Sequence, residues 1–120
     1  MLTGLGNDII EVERIAGSIS RFGDTFLKRL FTPSEIDYCR QFVDADRHFA
    51  GRFAAKEAIS KALGCGIGKQ LGWLDIEICS KKGPPTVMLS ESATQHFGTP
   101  VIQLSISHCR SHATAVAIVL

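Results

Sequence analysis

The stretch Arg47-His-Phe-Ala-Gly-Arg-Phe-Ala-Ala-Lys-Glu-Ala-Ile-Ser-Lys-Ala-Leu63 decides how the chain is read. Ala, Lys, Glu and Leu are strong helix formers, and Gly64 follows as a C-cap, so the spacing predicts one long helix. At about 100° per residue, Phe49, Phe53, Ile59 and Leu63 fall on one broad side, an ordinary core stripe. Glu57 and Lys61 stack four residues apart elsewhere, beside Ala50 and Ala54, whose small side chains leave room for a bulky ligand. Taken alone, the pair reads as an exposed ion pair worth roughly 0.2–0.5 kcal/mol.

Working outward, 120 residues of 45% hydrophobic and 21% charged composition suit one domain over residues 1–120. A formal net charge of +1 gives no global field for nucleic acid or an anionic membrane. Cys39, Cys65, Cys79 and Cys109 show no C-x-x-C spacing, and no leader or membrane-length apolar run occurs. Reduced thiols in a cytoplasmic protein are expected.

Leu2 to Val12 is expected as a strand, with Gly4 and Gly6 marking a backbone that passes close to something. Asp8 among apolar neighbours needs a donor, a cation or a metal. Glu11 to Phe22 turns helical, Ile15 and Ile19 facing inward. Arg14, Arg21 and Lys28 recur every seven residues, a basic side if the phase survives Gly23. Asp24 is expected to cap a second short helix through Leu30. Thr32-Pro33-Ser34-Glu35 carries a capping box with proline at the first helical position, opening a helix to about Phe42.

Beyond the Gly64–Gly68 loop, Trp73 to Ser80 alternates as a strand, with Leu74, Ile76 and Ile78 on one face. Lys81 to Pro85 turns the chain into a returning strand, Thr86 to Leu89. Ser90 caps a short helix to Phe97, and Val101 to His108 is the next strand. The last strand, Ala113 to Leu120, is almost wholly apolar. Both its faces should be buried, one of them by another subunit. His108 at a strand end is either a satisfied structural residue or a phosphate contact. His108, Cys109 and His112 lack a second ligand pair, so zinc is not expected.

Three ordered segments together resemble one family. Gly4-Leu-Gly6-Asn-Asp8-Ile9, Phe53-Ala-Ala-Lys56-Glu57-Ala-Ile-Ser-Lys61-Ala62 and Leu104-Ser-Ile-Ser-His108 are similar to signatures of the 4'-phosphopantetheinyl transferases. Leu30-Phe-Thr-Pro-Ser-Glu35 and Asp75-Ile-Glu-Ile78 resemble the small, holo-[acyl-carrier-protein] synthase branch. The helix motif is specific; the other two are short.

The resemblance implies an α+β fold, a mostly antiparallel sheet packed with one long central helix, in homotrimers with active sites between subunits. It implies transfer of 4'-phosphopantetheine from coenzyme A to a serine of apo-acyl carrier protein, in support of fatty acid biosynthesis. Adenosine 3',5'-bisphosphate is the by-product. By the same carry-over, Asp8 and Glu57 hold Mg2+, and Lys61 neutralises or protonates the leaving group; the base for the serine proton is Glu57 through an ordered water, with a free water or Asp8 as the alternatives. Lys56, Lys61, Gly64 and His108 contact coenzyme A, while Arg14, Arg21 and Lys28 meet the acidic carrier protein. Pro85, Cys65 and Cys109 depart from the family's usual residues. The competing reading is a non-catalytic trimer that binds a nucleotide-like ligand or an acidic partner.

Overall fold

In the computed structural model, residues 1–120 run as β1 (Gly4–Glu11), α1 (Val12–Phe22), α2 (Asp24–Leu30), α3 (Pro33–Arg40) and α4 (Ala45–Ala62). A 3-10 turn (Trp73–Asp75), β2 (Ile76–Cys79), β3 (Thr86–Leu89), α5 (Glu91–Phe97), β4 (Ile102–His108) and β5 (His112–Val119) follow. Strands β1, β5 and β4 make an antiparallel sheet with β5 in the middle, and β2 and β3 form a separate antiparallel ribbon.

Small residues let the sheet lie directly on α4. Ala54, Ala58 and Ala62 of the helix pack in one core with Ala115, Ala117 and Val119 of β5. Gly4 and Gly6 complete the fit. A Cβ on Gly4 would sit 2.0 Å from the Ala62 carbonyl oxygen, and one on Gly6 2.0 Å from that of Ala58. The paired glycines are thus what the strand–helix approach requires. Register places Asp8 opposite Ala115, which lies opposite Ile106 of β4.

A second core joins the first three helices to the N-terminal half of α4. Phe31 and Phe49 meet there at 5.3 Å between centroids, with Val12, Ile15 and Leu27 buried beside them. The capping box forms as expected: the Thr32 hydroxyl accepts the Glu35 N–H, and the Thr32 N–H donates to Glu35 Oε1 at 2.8 Å.

Several boundaries differ from the sequence reading. Helix α4 starts at Ala45, and α3 stops at Arg40. Asp24 does not cap α2; it is the first helical residue, and its carboxylate accepts from Arg40 Nη2 at 2.7 Å. The strand expected from Trp73 begins at Ile76. Asp75 accepts the Gly72 N–H at 2.7 Å and the Ser90 hydroxyl at 2.6 Å, curling the chain so that Leu74 is exposed. The last strand is not buried on both faces within one chain. Ala113, Ala115, Ala117 and Val119 are buried, whereas Val116 on the other face is 44% exposed.

Candidate active site

Lys61 leaves the last turn of α4 and reaches β1. Its ammonium donates to Asp8 Oδ1 at 3.1 Å and to the Asn7 carbonyl at 3.0 Å. The partner that Asp8 needs is therefore Lys61. The helical ion pair suggested by spacing does not form, and the Glu57 carboxylate has no salt-bridge or hydrogen-bond partner in the chain. Burial pushes the Glu57 carboxyl above its ordinary value, the Asp8 charge pushes it further, and Lys61 opposes both. Of two neighbouring carboxylates only Asp8 is paired with the ammonium, and a cation would relieve the excess negative charge.

No group of three or more His, Cys, Asp or Glu side chains is arranged to hold a metal. Magnesium does not need one: it takes one or two carboxylates, several waters and phosphate oxygens. Asp8 and Glu57, both hard oxygen donors and mutually repelling, fit that ion.

Lys56 is placed differently from the expectation that it contacts coenzyme A. It has no exposed surface, and its ammonium donates to the Leu30 carbonyl at 2.7 Å, Glu35 Oε1 at 2.8 Å and the Trp73 carbonyl at 3.0 Å. All three ammonium protons are engaged, so Lys56 cannot reach a phosphate. Gly64, expected to contact coenzyme A, has its N–H engaged within the chain. Its N–H closes the helix on the Lys61 carbonyl at 3.0 Å, and those of Cys65 and Gly66 both point to the Ser60 carbonyl. Its contribution is a φ of +87°, the left-handed exit that glycine adopts freely.

His108 is exposed at the end of β4 and borders a cavity of about 220 Å³ with Tyr38, His48, Arg52, Ser80 and Pro85. Sequence reading missed Arg52. It is buried in the middle of α4, stacks over the Tyr38 ring at 4.1 Å, and gives Nη2 to the Ser80 hydroxyl at 2.9 Å. Its Nε is buried without any partner. The available signal was a single arginine inside an otherwise small and apolar run. A buried unpaired guanidinium nitrogen is costly unless an acceptor enters from outside. Larger hollows of about 550 and 370 Å³ flank α3, but neither holds an unpartnered buried donor.

Arg14 and Arg21 are exposed on α1, Arg21 lying over the Phe22 ring. The break at Gly23, φ 58° and ψ −136°, puts Lys28 on a separate helix. The basic side is therefore two short segments.

Residues 4–117 match the model of the 4'-phosphopantetheinyl transferase superfamily. A holo-[acyl-carrier-protein] synthase of Protochlamydia amoebophila is 49% identical over 119 residues, 98% of each chain. That of Chlamydia trachomatis is 48% identical over 115 residues, covering 96% of this chain and 97% of the relative. The crystal structure of the Helicobacter pylori holo-[acyl-carrier-protein] synthase in complex with coenzyme A superposes with a TM-score of 0.88 at 43% identity, covering 97% and 99% of the two chains. The Bacillus anthracis enzyme, in complex with CoA (3',5'-ADP), gives 0.84 at 37% identity over 99% and 96%.

Proposed function

The chain belongs to the 4'-phosphopantetheinyl transferase superfamily, and from that premise we infer how its residues divide the work of one reaction. It transfers 4'-phosphopantetheine from coenzyme A to a serine of apo-acyl carrier protein, leaving adenosine 3',5'-bisphosphate. The serine oxygen attacks the phosphorus that carries the pantetheine arm, and the bond to the bridging pyrophosphate oxygen breaks. Such a step depends on positioning and on neutralising charge more than on covalent work by the protein. Magnesium, when bound, would offset the pyrophosphate charge. Asp8 and Glu57 are the residues that would hold it.

Lys61 sits at the surface beside both carboxylates. It neutralises the leaving oxygen or gives it a proton. Glu57 is the base for the serine proton, acting through a water; its raised proton affinity suits that task. The cavity at Arg52 and His108 takes the nucleotide end of coenzyme A, whose phosphate supplies the acceptor that Arg52 Nε lacks. Arg14 and Arg21 on α1, with Lys28 on α2, meet the acidic carrier protein.

The outer face of the sheet supports a homotrimer: Leu5, Ile9 and Val116 project from it, exposed and apolar. The active sites then lie between adjacent subunits. The four cysteines are unpaired, which suits the cytoplasm, where holo-carrier protein serves fatty acid biosynthesis.

The observation that carries the site assignment is the unpartnered Glu57 carboxylate beside the Asp8–Lys61 pair. Its test is magnesium-dependent turnover in Asp8→Asn and Glu57→Gln. Both variants should fold and fail to turn over. Normal turnover in either removes that residue from the metal site.

A further inference from the structure

We propose that His48 is a proton-linked contact for the phosphate at the nucleotide end of coenzyme A, becoming cationic as the anion enters. The inference rests on assigning the cavity at Arg52 and His108 to that nucleotide.

His48 borders the same cavity, on the first turn of α4. Its ring is held on three sides. It stacks on Phe42 at 3.7 Å and 14°, meets His108 edge-on at 5.1 Å, and has Nε2 3.5 Å from Asp44 Oδ1. A ring fixed this way is positioned before any ligand arrives. The charged and titratable groups around it come from every neighbouring element. Asp44 and Arg47 lie at the start of α4, Arg52 lies one turn on, His108 ends β4, and Tyr38 belongs to α3. Apart from Asp44, which also engages Arg47 at 3.5 Å, no carboxylate faces the ring.

The cavity is therefore rich in donors and poor in acceptors. Burial holds the His48 imidazole below its ordinary value; Asp44 pulls it up, and His108 and Arg52 add to the depression. The ring is neutral in the free protein at neutral pH. A phosphate entering beside Arg52 supplies the opposite charge within a few ångströms, which favours the protonated ring. Binding then takes up a proton, so affinity rises as pH falls.

The test is calorimetric binding of adenosine 3',5'-bisphosphate at pH 6, 7 and 8, in pairs of buffers with different ionisation enthalpies. His48→Phe keeps the stack on Phe42 without a titrating nitrogen, and His48→Gln is the second variant. The wild type should take up a measurable fraction of a proton at pH 7. Both variants should take up less and lose several-fold of the affinity gained between pH 8 and pH 6. The free phosphate titrates near pH 6 identically in all three experiments, so the difference between proteins reads the loss of the His48 nitrogen, including its pull on the bound phosphate. Uptake unchanged in both variants overturns the role of His48 while leaving the cavity assignment standing. Wild-type binding that is absent, or indifferent to Arg52→Ala, removes the cavity assignment and this inference with it.

Discussion

Glu57 holds its charge against two opposing influences, burial and the Asp8 carboxylate, and only Lys61 helps it. A carboxyl whose folded pKa is raised destabilises the fold above its unfolded value, and the penalty disappears as pH falls through the folded value. Glu57→Gln should therefore raise Tm at pH 7 while abolishing turnover, a combination that differential scanning calorimetry and the transfer assay can check together. A lower Tm would mean that Glu57 has a stabilising partner. In Asp8→Asn the like charge is gone and Lys61 is freed, so carboxyl-carbon NMR should show Glu57 titrating at lower pH than in the wild type. The thiols divide just as sharply. Burial pushes Cys39 up to about 12, while the Ser111 hydroxyl and nearby backbone N–H groups pull exposed Cys109 down to about 7. Iodoacetamide at pH 7 should label Cys109 first and leave Cys39 intact until the chain unfolds, as peptide mass mapping will read. Early labelling of Cys39 would contradict its burial.

Helix α4 carries both the tightest packing and the site residues, and its neighbours explain what the sequence could and could not reveal. Its exit at Gly64 and the Thr32–Glu35 capping box were legible because both are local: the backbone and side chains involved lie within a turn of each other. The G-x-G of β1 was legible as a close approach, but its partner, the carbonyls of Ala58 and Ala62, was not. Helical spacing suggested Glu57 and Lys61 as a pair, whereas the structure gives Lys61 to Asp8 across 53 residues of sequence. Lys56 was given to coenzyme A by the resemblance, and only the fold shows that Glu35 and two carbonyls enclose it. Glu35 in turn accepts N–H groups from Thr32 and, at 2.9 Å, Ile78, so the pair ties α3 and β2 to α4. Lys56→Met leaves a buried carboxylate unpaired and should lose about 3–5 kcal/mol in urea unfolding. The double variant Lys56→Met with Glu35→Leu should recover much of that loss. A single substitution that is neutral would contradict the pairing.

At the scale of the whole molecule, the proposed contacts with other chains would use the apolar outer sheet face and the basic first helices. That face was legible as a surplus of apolar residues on the last strand. What covers it is a property of the assembly, so it could not follow from a pattern along one chain. The homotrimer predicts that Val116→Lys shifts light-scattering mass to the monomer and lowers turnover with it; a wild-type monomer that is fully active would contradict it. Arg14→Ala with Arg21→Ala should raise KM for the carrier protein about tenfold, or about 1.4 kcal/mol, with a weaker dependence on salt, since such charges mainly govern encounter. The most direct measurement is the intact mass of apo-acyl carrier protein after incubation with the chain, coenzyme A and magnesium. The account predicts a gain of one 4'-phosphopantetheine, lost with chelator and lost with Glu57→Gln. No gain from the wild type, or an equal gain from the variant, would contradict it.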